Sequence, residues 1–296
     1  MSADFAYRHF VHTAREGLVP LDLNHFNSVR GAVISNCKPG QAKDPIANCS
    51  VGPIQVMEAP GRATYKGLLL RAEKRLSHSF QVLGSYAYSS NTGTSFRNGF
   101  NLDNWLQNTG PTDFDYAQIA NLAGVAQLPW SFELALNFSY SSAPPFSATV
   151  GSTSNGIDFN GDGTLGDLLP GTTVNAFNRS RGRADLERLV AQFNETYALT
   201  RDAQGRVIPR LALPANYGFG DDFHALDLRL SRSILFRERW RLQLIGEVFN
   251  VYNKANLSNY SGDLTSAAFG QPTTRATQVF GSGGPRAFQL AMRVGF

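Results

Sequence analysis

The chain ends on the sequence Arg286-Ala-Phe-Gln-Leu-Ala-Met-Arg-Val-Gly-Phe296, in which apolar and polar residues alternate. Consecutive side chains of a strand point to opposite faces of a sheet, so the alternation predicts a β-strand with one apolar and one polar face. At about ten residues, the strand is longer than most strands of soluble sheets and suits a tilted crossing of a bilayer. The apolar face carries Phe288, Leu290, Met292, Val294 and Phe296.

The same alternation recurs earlier in the chain, which predicts an all-β fold of about eight antiparallel strands. The segment 225–234 and the segment 239–252 are separated by only a few residues and are expected to form a hairpin. Tilted strands with an apolar outer face and a polar inner face are typical of outer-membrane barrels. The other predicted strands are 3–12, 63–76, 80–90, 116–128 and 130–142.

The connections between these segments alternate between short turns and long loops. Outer-membrane barrels place short turns in the periplasm and long loops outside the cell. The sequence therefore predicts an antiparallel transmembrane β-barrel segment in the cell outer membrane, with long extracellular loops and Phe296 at the periplasmic rim. The short turns are 77–79, 129 and 236–239, and the long loops are 13–62, 91–115, 143–222 and 253–284.

Aromatic residues fall near the predicted strand ends, where membrane interfaces favour them. Phe80, Trp130, Phe236 and Trp240 lie at the turn end, and Tyr88, Tyr140 and Tyr252 lie at the opposite end. In a soluble β-sandwich the same aromatic residues would form the core. Sandwich strands are shorter, however, and their long loops do not all fall at one end.

One stretch of the longest loop has helical rather than strand periodicity. Apolar residues at helical spacing predict a helix over 184–199. Such an amphipathic helix lies either on a membrane surface or against its own loop, and we prefer the second arrangement because it is commoner. The apolar residues are Leu186, Leu189, Val190, Phe193 and Tyr197.

Composition narrows the functional classes. Charged residues make up 17% of the chain, and no apolar run is long enough for a transmembrane helix. The net charge of +4 is spread through the strands, which gives little support to nucleic-acid binding. The first residues do not resemble a signal peptide. We therefore expect residues 1–296 to be the C-terminal part of an outer-membrane β-barrel, a fragment from which the plug domain and the signal peptide are absent.

Four segments resemble the C-terminal barrel of TonB-dependent outer-membrane transporters, particularly the Oar-like branch. They are Ala63-Thr-Tyr-Lys-Gly-Leu-Leu69, Val125-Ala-Gln-Leu-Pro-Trp-Ser131, Gly246-Glu-Val-Phe-Asn-Val-Tyr-Asn253 and Gly283-Gly-Pro-Arg-Ala-Phe-Gln-Leu290 through to Phe296. Such transporters have 22 strands and a plugged lumen.

The resemblance implies a receptor that takes up a solute, whose identity the sequence does not reveal. Its partners would be outer-membrane lipid, the barrel-assembly machinery through the strand ending at Phe296, and, in a longer chain, a plug domain and TonB. The alternatives are a secreted soluble β-sandwich binding module and a small stand-alone structural or adhesive outer-membrane barrel. A barrel closed from about eight strands has an interior filled by side chains and should not conduct.

A loop segment beginning at Asp158 has the oxygen ligands of a partial calcium site. Asp158, Asn160, Asp162 and Thr164 match the first four ligand positions of a calcium loop, with Gly163 at the turn. The closing Glu is missing, and Asp167 is its nearest substitute. The simpler interpretation is a solvated Asn/Asp/Gly turn. No other cofactor is expected.

Two cysteines, Cys37 and Cys49, lie in a loop rich in Pro, Gly and Asn. In an oxidising compartment they would form a disulfide, stabilising the loop by about 3 kcal/mol. In a reducing cytosol they would remain free thiols. Metal binding is not expected, because no second Cys or His pair has ligand spacing.

No catalytic motif is present, so we predict that the chain is not an enzyme. The histidines are scattered, and none neighbours a nucleophile in a recognisable motif. Nine charged strand residues fall on the predicted polar face, where they contact a plug or solute, or pair across strands. The histidines are His9, His12, His25, His78 and His224, and the charged residues are Arg71, Glu73, Arg75, Glu133, Asp227, Arg229, Arg241, Glu247 and Arg293.

Overall fold

A computed structural model of the chain describes most of its residues. The described residues are 1–13, 61–94, 107–151, 155–160, 165–202, 205–236, 240–276 and 283–296, with the backbone of 19–22, 26–27, 32–33 and 55–58. Everything below refers to these parts of the chain.

Eight long strands form the main sheet, at the positions that the alternation predicts. They are β1 (Ser2–Thr13), β2 (Gly61–Ser77), β3 (Phe80–Thr94), β4 (Gln118–Leu128), β5 (Phe132–Ser141), β6 (Phe223–Phe236), β7 (Trp240–Phe249) and β8 (Ala287–Gly295). Each strand pairs antiparallel with the next strand in sequence, in an open path from β1 to β8. Among the described residues, the outer edges of β1 and β8 do not pair with each other.

The register keeps one apolar face across the whole sheet. Leu136 lies opposite Leu228 on β6 and opposite Gly124 on β4. Gly246 lies between Leu230 and Leu290. A shift of one residue at any pairing would move that strand's apolar side chains to the other face, so the predicted faces are confirmed. We call the two sides the apolar face and the polar face.

Side chains of the apolar face are largely uncovered in this chain. Leu290 is 88% exposed, Phe288 77% and Met292 67%. No second sheet among the described residues packs on this face, since the other sheets have only two strands each. In a β-sandwich these residues would be the core. The soluble β-sandwich alternative is therefore wrong.

Tight turns join the strands at one end of the sheet, which we call the turn end. His78 and Ser79 have φ values of 49° and 67°, a left-handed pair that suits a two-residue hairpin. Trp130 has φ 60° within a 3-10 turn, Pro129–Ser131. The predicted fifth strand therefore begins too early at residue 130, because Trp130 lies in the turn and β5 starts at Phe132.

The opposite end of the sheet, the loop end, carries a folded layer made from the long connections. Thr109–Pro111 extends the sheet by pairing with β3. Thr149–Val150 pairs with Asp167–Leu168, and Leu257–Tyr260 pairs with Pro272–Arg275. Two further short pairs join Val19–Asp22 to Gln55–Glu58 and Phe26–Asn27 to Ala32–Val33. We call the described residues 107–117, 142–222 and 250–276 the loop layer.

The buried core of the protein lies in this loop layer and not in the sheet. The helix α1 (Arg183–Thr196) buries Leu186, Leu189, Val190 and Phe193 there. They pack with residues of other loop segments, including Phe146, Phe177 and Phe269. The helix was predicted at this position, and its packing against the loop is confirmed over the membrane-surface alternative. No helix among the described residues is long and apolar enough to cross a membrane.

The start of α1 is fixed by an acidic side chain. Asp185 accepts a hydrogen bond from the backbone N–H of Gly182 at 3.1 Å. This bond lowers the pKa of Asp185 below its usual value, and Arg181 and Arg188 contribute to the same shift. A carboxylate in the first turn also interacts favourably with the partial positive charge at the N-terminus of the helix.

Candidate solute site in the loop layer

The polar face of the sheet pairs part of its charge internally. Arg229 on β6 lies directly opposite Glu247 on β7, with Nη1 and Oε1 3.8 Å apart. Arg71 and Glu73 approach to 3.1 Å along β2. These contacts favour the charge-pairing interpretation for these four residues. Arg75, Glu133, Asp227, Arg241 and Arg293 share the same face, as predicted from the alternation.

A buried asparagine joins two parts of the loop layer. Asn175 donates from its amide to the carbonyl of Pro111 at 2.9 Å and to Oδ1 of Asp113 at 2.7 Å. Its amide oxygen accepts from the hydroxyl of Ser147, whose Oγ also accepts from the Asn175 backbone N–H. Every polar atom of this side chain is therefore used to hold three segments together.

A buried ion pair provides a second link. Nε of Arg179 lies 2.8 Å from Oδ2 of Asp115, and the two side chains are only 16% and 3% exposed. Arg179 also donates to the backbone carbonyls of Asp115, Ala143 and Asn178. Asp115 Oδ1 accepts from the backbone N–H of Asn91 on β3 at 2.6 Å. The long loop is thus tied to the end of the sheet.

These links leave an open cleft in the loop layer. Its volume is about 610 Å³, within the range of sites for small molecules. Its walls come from four chain segments, 113–116, 144–151, 219–221 and 257–263, with further residues near 165 and 174. The aromatic residues Tyr116, Phe146, Phe219 and Tyr260 line it together with backbone and amide groups.

Three carboxylates line the same cleft, and each has a neutral hydrogen-bond donor beside it. Asp113 accepts from Asn175, as described above. Asp263 accepts from the backbone N–H of Thr265 at 2.8 Å. Asp221 accepts from the phenol of Tyr260, and burial together with this carboxylate raises the pKa of Tyr260 to about 12.

A smaller cavity of about 120 Å³ adjoins the cleft. It shares Tyr116, Pro144 and Asp221 with the cleft. Its remaining lining includes Ile119, Ser141 and Phe223, which belong to the loop ends of β4, β5 and β6 and lie on the polar face. The space in the loop layer therefore reaches the polar face of the sheet.

The predicted calcium ligands are only partly described. Asp158, Asn160 and Asp167 are all buried, at 2%, 3% and 1% exposure. Oδ2 of Asp167 accepts the backbone N–H groups of Phe159 and Asn160 at 2.6 and 3.2 Å, so this carboxylate closes the turn. Asp162 and Thr164 lie outside the described residues. Within the described parts, no group of three or more His, Cys, Asp or Glu side chains is arranged to hold a metal. Calcium binding stays a prediction.

The other residues singled out in the sequence lie apart from the cleft. Cys37 and Cys49 fall outside the described residues, so their disulfide stays a prediction, and His25 falls outside them too. Phe296 follows β8 at the turn end, with its ring 5.5 Å from that of Trp240. His9 on β1 contacts Thr64 at 2.9 Å, and the ring of His224 lies 5.7 Å from that of Tyr252. His78 is a turn residue, and His12 has φ 52° near the end of β1.

Comparison with known proteins places the chain among membrane barrels. A family model described as "Outer membrane beta barrel domain" matches residues 12–289. Among solved structures, the outer membrane transporter YddB from Escherichia coli is similar over 99% of this chain, with 12% sequence identity and a TM-score of 0.39. The chain spans about 30% of the length of that transporter. No curated protein sequence matches the chain.

Proposed function

The chain belongs to the outer membrane beta barrel domain family. On that premise we propose that it forms part of the barrel wall, together with the surface loops, of a TonB-dependent receptor of the Oar-like branch. Its localisation is the cell outer membrane, so the apolar face contacts lipid, the turn end faces the periplasm and the loop layer lies outside the cell. In this proposal a solute binds first in the cleft of the loop layer and is then taken up. The observation that carries the proposal is that the cleft shares wall residues with a cavity lined by the polar face of the sheet.

The distribution of charge supports a wall between lipid and a polar interior. All acidic residues of the eight strands lie on the polar face, where a bilayer does not have to accommodate them. They are Asp4, Glu73, Glu133, Asp227 and Glu247.

The open edges of the sheet support a larger barrel. In lipid, each unsatisfied backbone group costs several kcal/mol, so β1 and β8 need hydrogen-bonding partners on their outer sides. In the proposed receptor, further strands of a longer barrel provide them. The same argument counts against a small stand-alone structural barrel, which would pair β1 with β8. We therefore expect the purified chain alone to give no large, stable conductance steps in single-channel recordings.

Uptake is tested with the complete receptor in its own outer membrane. Cells that produce the receptor and cells that lack it are grown in a complex medium, and the solutes removed from the medium are compared. TonB-dependent uptake predicts that some solute disappears only with the receptor present, and that a protonophore abolishes its removal. Identical depletion profiles would contradict the proposal. We further propose that the chain has no enzymatic activity, so the removed solute should enter the cells chemically unchanged.

A further inference from the structure

The cleft of the loop layer has an unbalanced charge. Asp113, Asp221 and Asp263 line it, and no Lys, Arg or His is among the described residues of its lining. The full chain, by contrast, carries a formal net charge of +4. The negative charge of the cleft is therefore a local feature and does not follow from the overall composition.

None of these carboxylates is neutralised by a cation within the described parts of the chain. Their hydrogen-bond donors are an amide at Asp113, a phenol at Asp221, and a backbone N–H and hydroxyl at Asp263. Neutral donors fix the position of a carboxylate but leave its charge in place. By comparison, Asp115 of the same layer is paired with Arg179.

Aromatic rings line the same cleft as the carboxylates. Phe219 is stacked on Phe146 with ring centroids 5.3 Å apart, which holds its ring in one orientation. Tyr260 is both the donor to Asp221 and part of the lining. Aromatic faces attract cations through the ring quadrupole, most strongly where water is partly excluded. An anionic solute would be repelled by the three carboxylates that line the cleft.

We propose that the cleft binds a solute carrying an organic cation, a guanidinium or ammonium group, which the carboxylates neutralise and the aromatic rings contact. This inference rests on the proposed function, because it specifies the class of solute that the receptor takes up. A compact organic cation fits within about 610 Å³, and the adjoining cavity is lined in part by the polar face of the sheet.

Two probes that differ in charge but hardly in shape test this inference. Agmatine carries a guanidinium and an ammonium group, and its urea analogue, N-carbamoylputrescine, keeps the ammonium but replaces the guanidinium by a neutral urea. Binding of each to the purified full chain in detergent is measured by calorimetry, with maltose as a neutral polar solute. We expect agmatine to bind at least about tenfold more tightly than its singly charged analogue, and both to bind more tightly than maltose, with affinities that fall as salt is added. Binding of maltose as tight as that of agmatine, or no binding of agmatine, would overturn the inference.

Variants locate the binding in the cleft. Asp221→Asn and Asp263→Asn keep the shape of the side chain and remove its charge, so each should weaken agmatine binding about tenfold. Asp113→Asn is a third variant, at the most exposed of the three positions. Asp185→Asn removes a carboxylate of α1 outside the cleft and should leave the affinity unchanged. Thermal unfolding of each variant shows whether the loop layer is intact, and an unchanged affinity in the three folded cleft variants would contradict the assignment.

The outcome is separable from that of the uptake experiment. If receptor-dependent depletion is found but the solute removed is neutral or anionic, the proposed function stands and the cation inference fails. If agmatine binds in the cleft but no solute is depleted, the cation site stands and the uptake proposal fails.

Discussion

Arg179 and Asp115 form an ion pair at 2.8 Å inside the loop layer, with Asp115 almost fully buried. The pair joins the long connection between β5 and β6 to the long connection between β3 and β4. Because Asp115 also accepts from Asn91 at the end of β3, the loop layer is anchored to the sheet at this point. The shape of the cleft depends on this anchor, since residues 113 and 116 on either side of Asp115 line it.

Replacing Arg179 by Met should destabilise the loop layer by about 3–5 kcal/mol, because Asp115 would remain buried without its counter-charge. Chemical denaturation in detergent, followed by tryptophan and tyrosine fluorescence, measures the change. Arg188→Met is the matched control, since Arg188 forms only an exposed ion pair with Asp185 and should cost less than about 1 kcal/mol. Adding Asp115→Asn to the Arg179 variant should recover part of the loss. Equal costs for the two arginine variants would show that the buried pair is not the anchor.

Adjacent residues of β5 test the assignment of the sheet faces. Leu136→Arg places a charge against lipid near the middle of the strand and should cost about 2–4 kcal/mol. Asn137→Arg makes the same substitution on the polar face, opposite Asp227 of β6, and should be much milder. Folding of the two variants into lipid vesicles is compared by urea titration. If the Asn137 variant proved equally disruptive, the face assignment would be off by one residue.

The burial of α1 is tested by truncating one side chain of its apolar face. Phe193 is 2% exposed, and its ring lies 5.3 Å from that of Phe159. Phe193→Ala should lower the free energy of unfolding by about 3–5 kcal/mol, through lost burial and the cavity left behind. Gln192→Ala, at the exposed neighbouring position of the same helix, should change it by less than about 0.5 kcal/mol. A helix lying free on the surface would give similar small values for both.

The phenol of Tyr260 should lose its proton at a higher pH than an ordinary tyrosine does. Its pKa is raised to about 12 by burial and by Asp221, above the value of about 10 for an unfolded chain. The protonated phenol therefore favours the folded state below pH 10, and this contribution is lost as the pH rises toward 12. Tyrosinate absorbance of the protein minus that of Tyr260→Phe gives the titration of this one group. A difference signal with a midpoint near pH 10 would mean that Tyr260 is neither buried nor in contact with Asp221.

Calcium should stabilise the segment around Asp158, if the predicted ligand set is complete in solution. Titrating the full chain with calcium chloride should release or absorb heat and raise the temperature of loop unfolding. Asp158→Asn removes a ligand charge and should abolish both effects. Asp167 is less suitable for substitution, because its carboxylate also holds two backbone N–H groups. The absence of heat and of any stability change with the unmodified chain would remove the metal site.

The strands and faces of the sheet could be predicted from the sequence because the pattern that identifies them involves only residues close together in the chain. An alternation of period two needs only neighbouring residues, and it identified all eight strands within a few residues of their ends. The predicted start of the fifth strand was wrong for an equally local reason. Trp130 continues the alternation of apolar and polar residues in the sequence, but it lies in the turn before β5. Arg232 was not anticipated on the apolar face. Its guanidinium lies 5.1 Å from the ring of Phe132 near the turn end, where a long side chain can extend toward the interface.

The cleft could not be predicted in the same way, because its residues come from four separate segments. Asp113, Asp221, Tyr260 and Asp263 each resemble ordinary loop residues in the sequence, and only long-range packing brings them together. The one cue was the apolar helix pattern at α1, which indicated that the loop contains a core of its own. The oxygen-bearing side chains around Asp158 lie close together in the sequence, so they predicted a site within a single segment. The cleft depends instead on contacts between segments that are distant in the sequence.

The strict neighbour-to-neighbour pairing of β1 through β8 has a consequence for how such a wall can change in evolution. Each hairpin leaves from and returns to the same end of the sheet, so a hairpin gained or lost as a unit reverses no other strand. The remaining strands keep their residues on the same two faces, and the long loops stay together at the loop end of the sheet. A wall organised in this way can be widened or narrowed by gene duplication or deletion in steps of two strands without redesign of the rest.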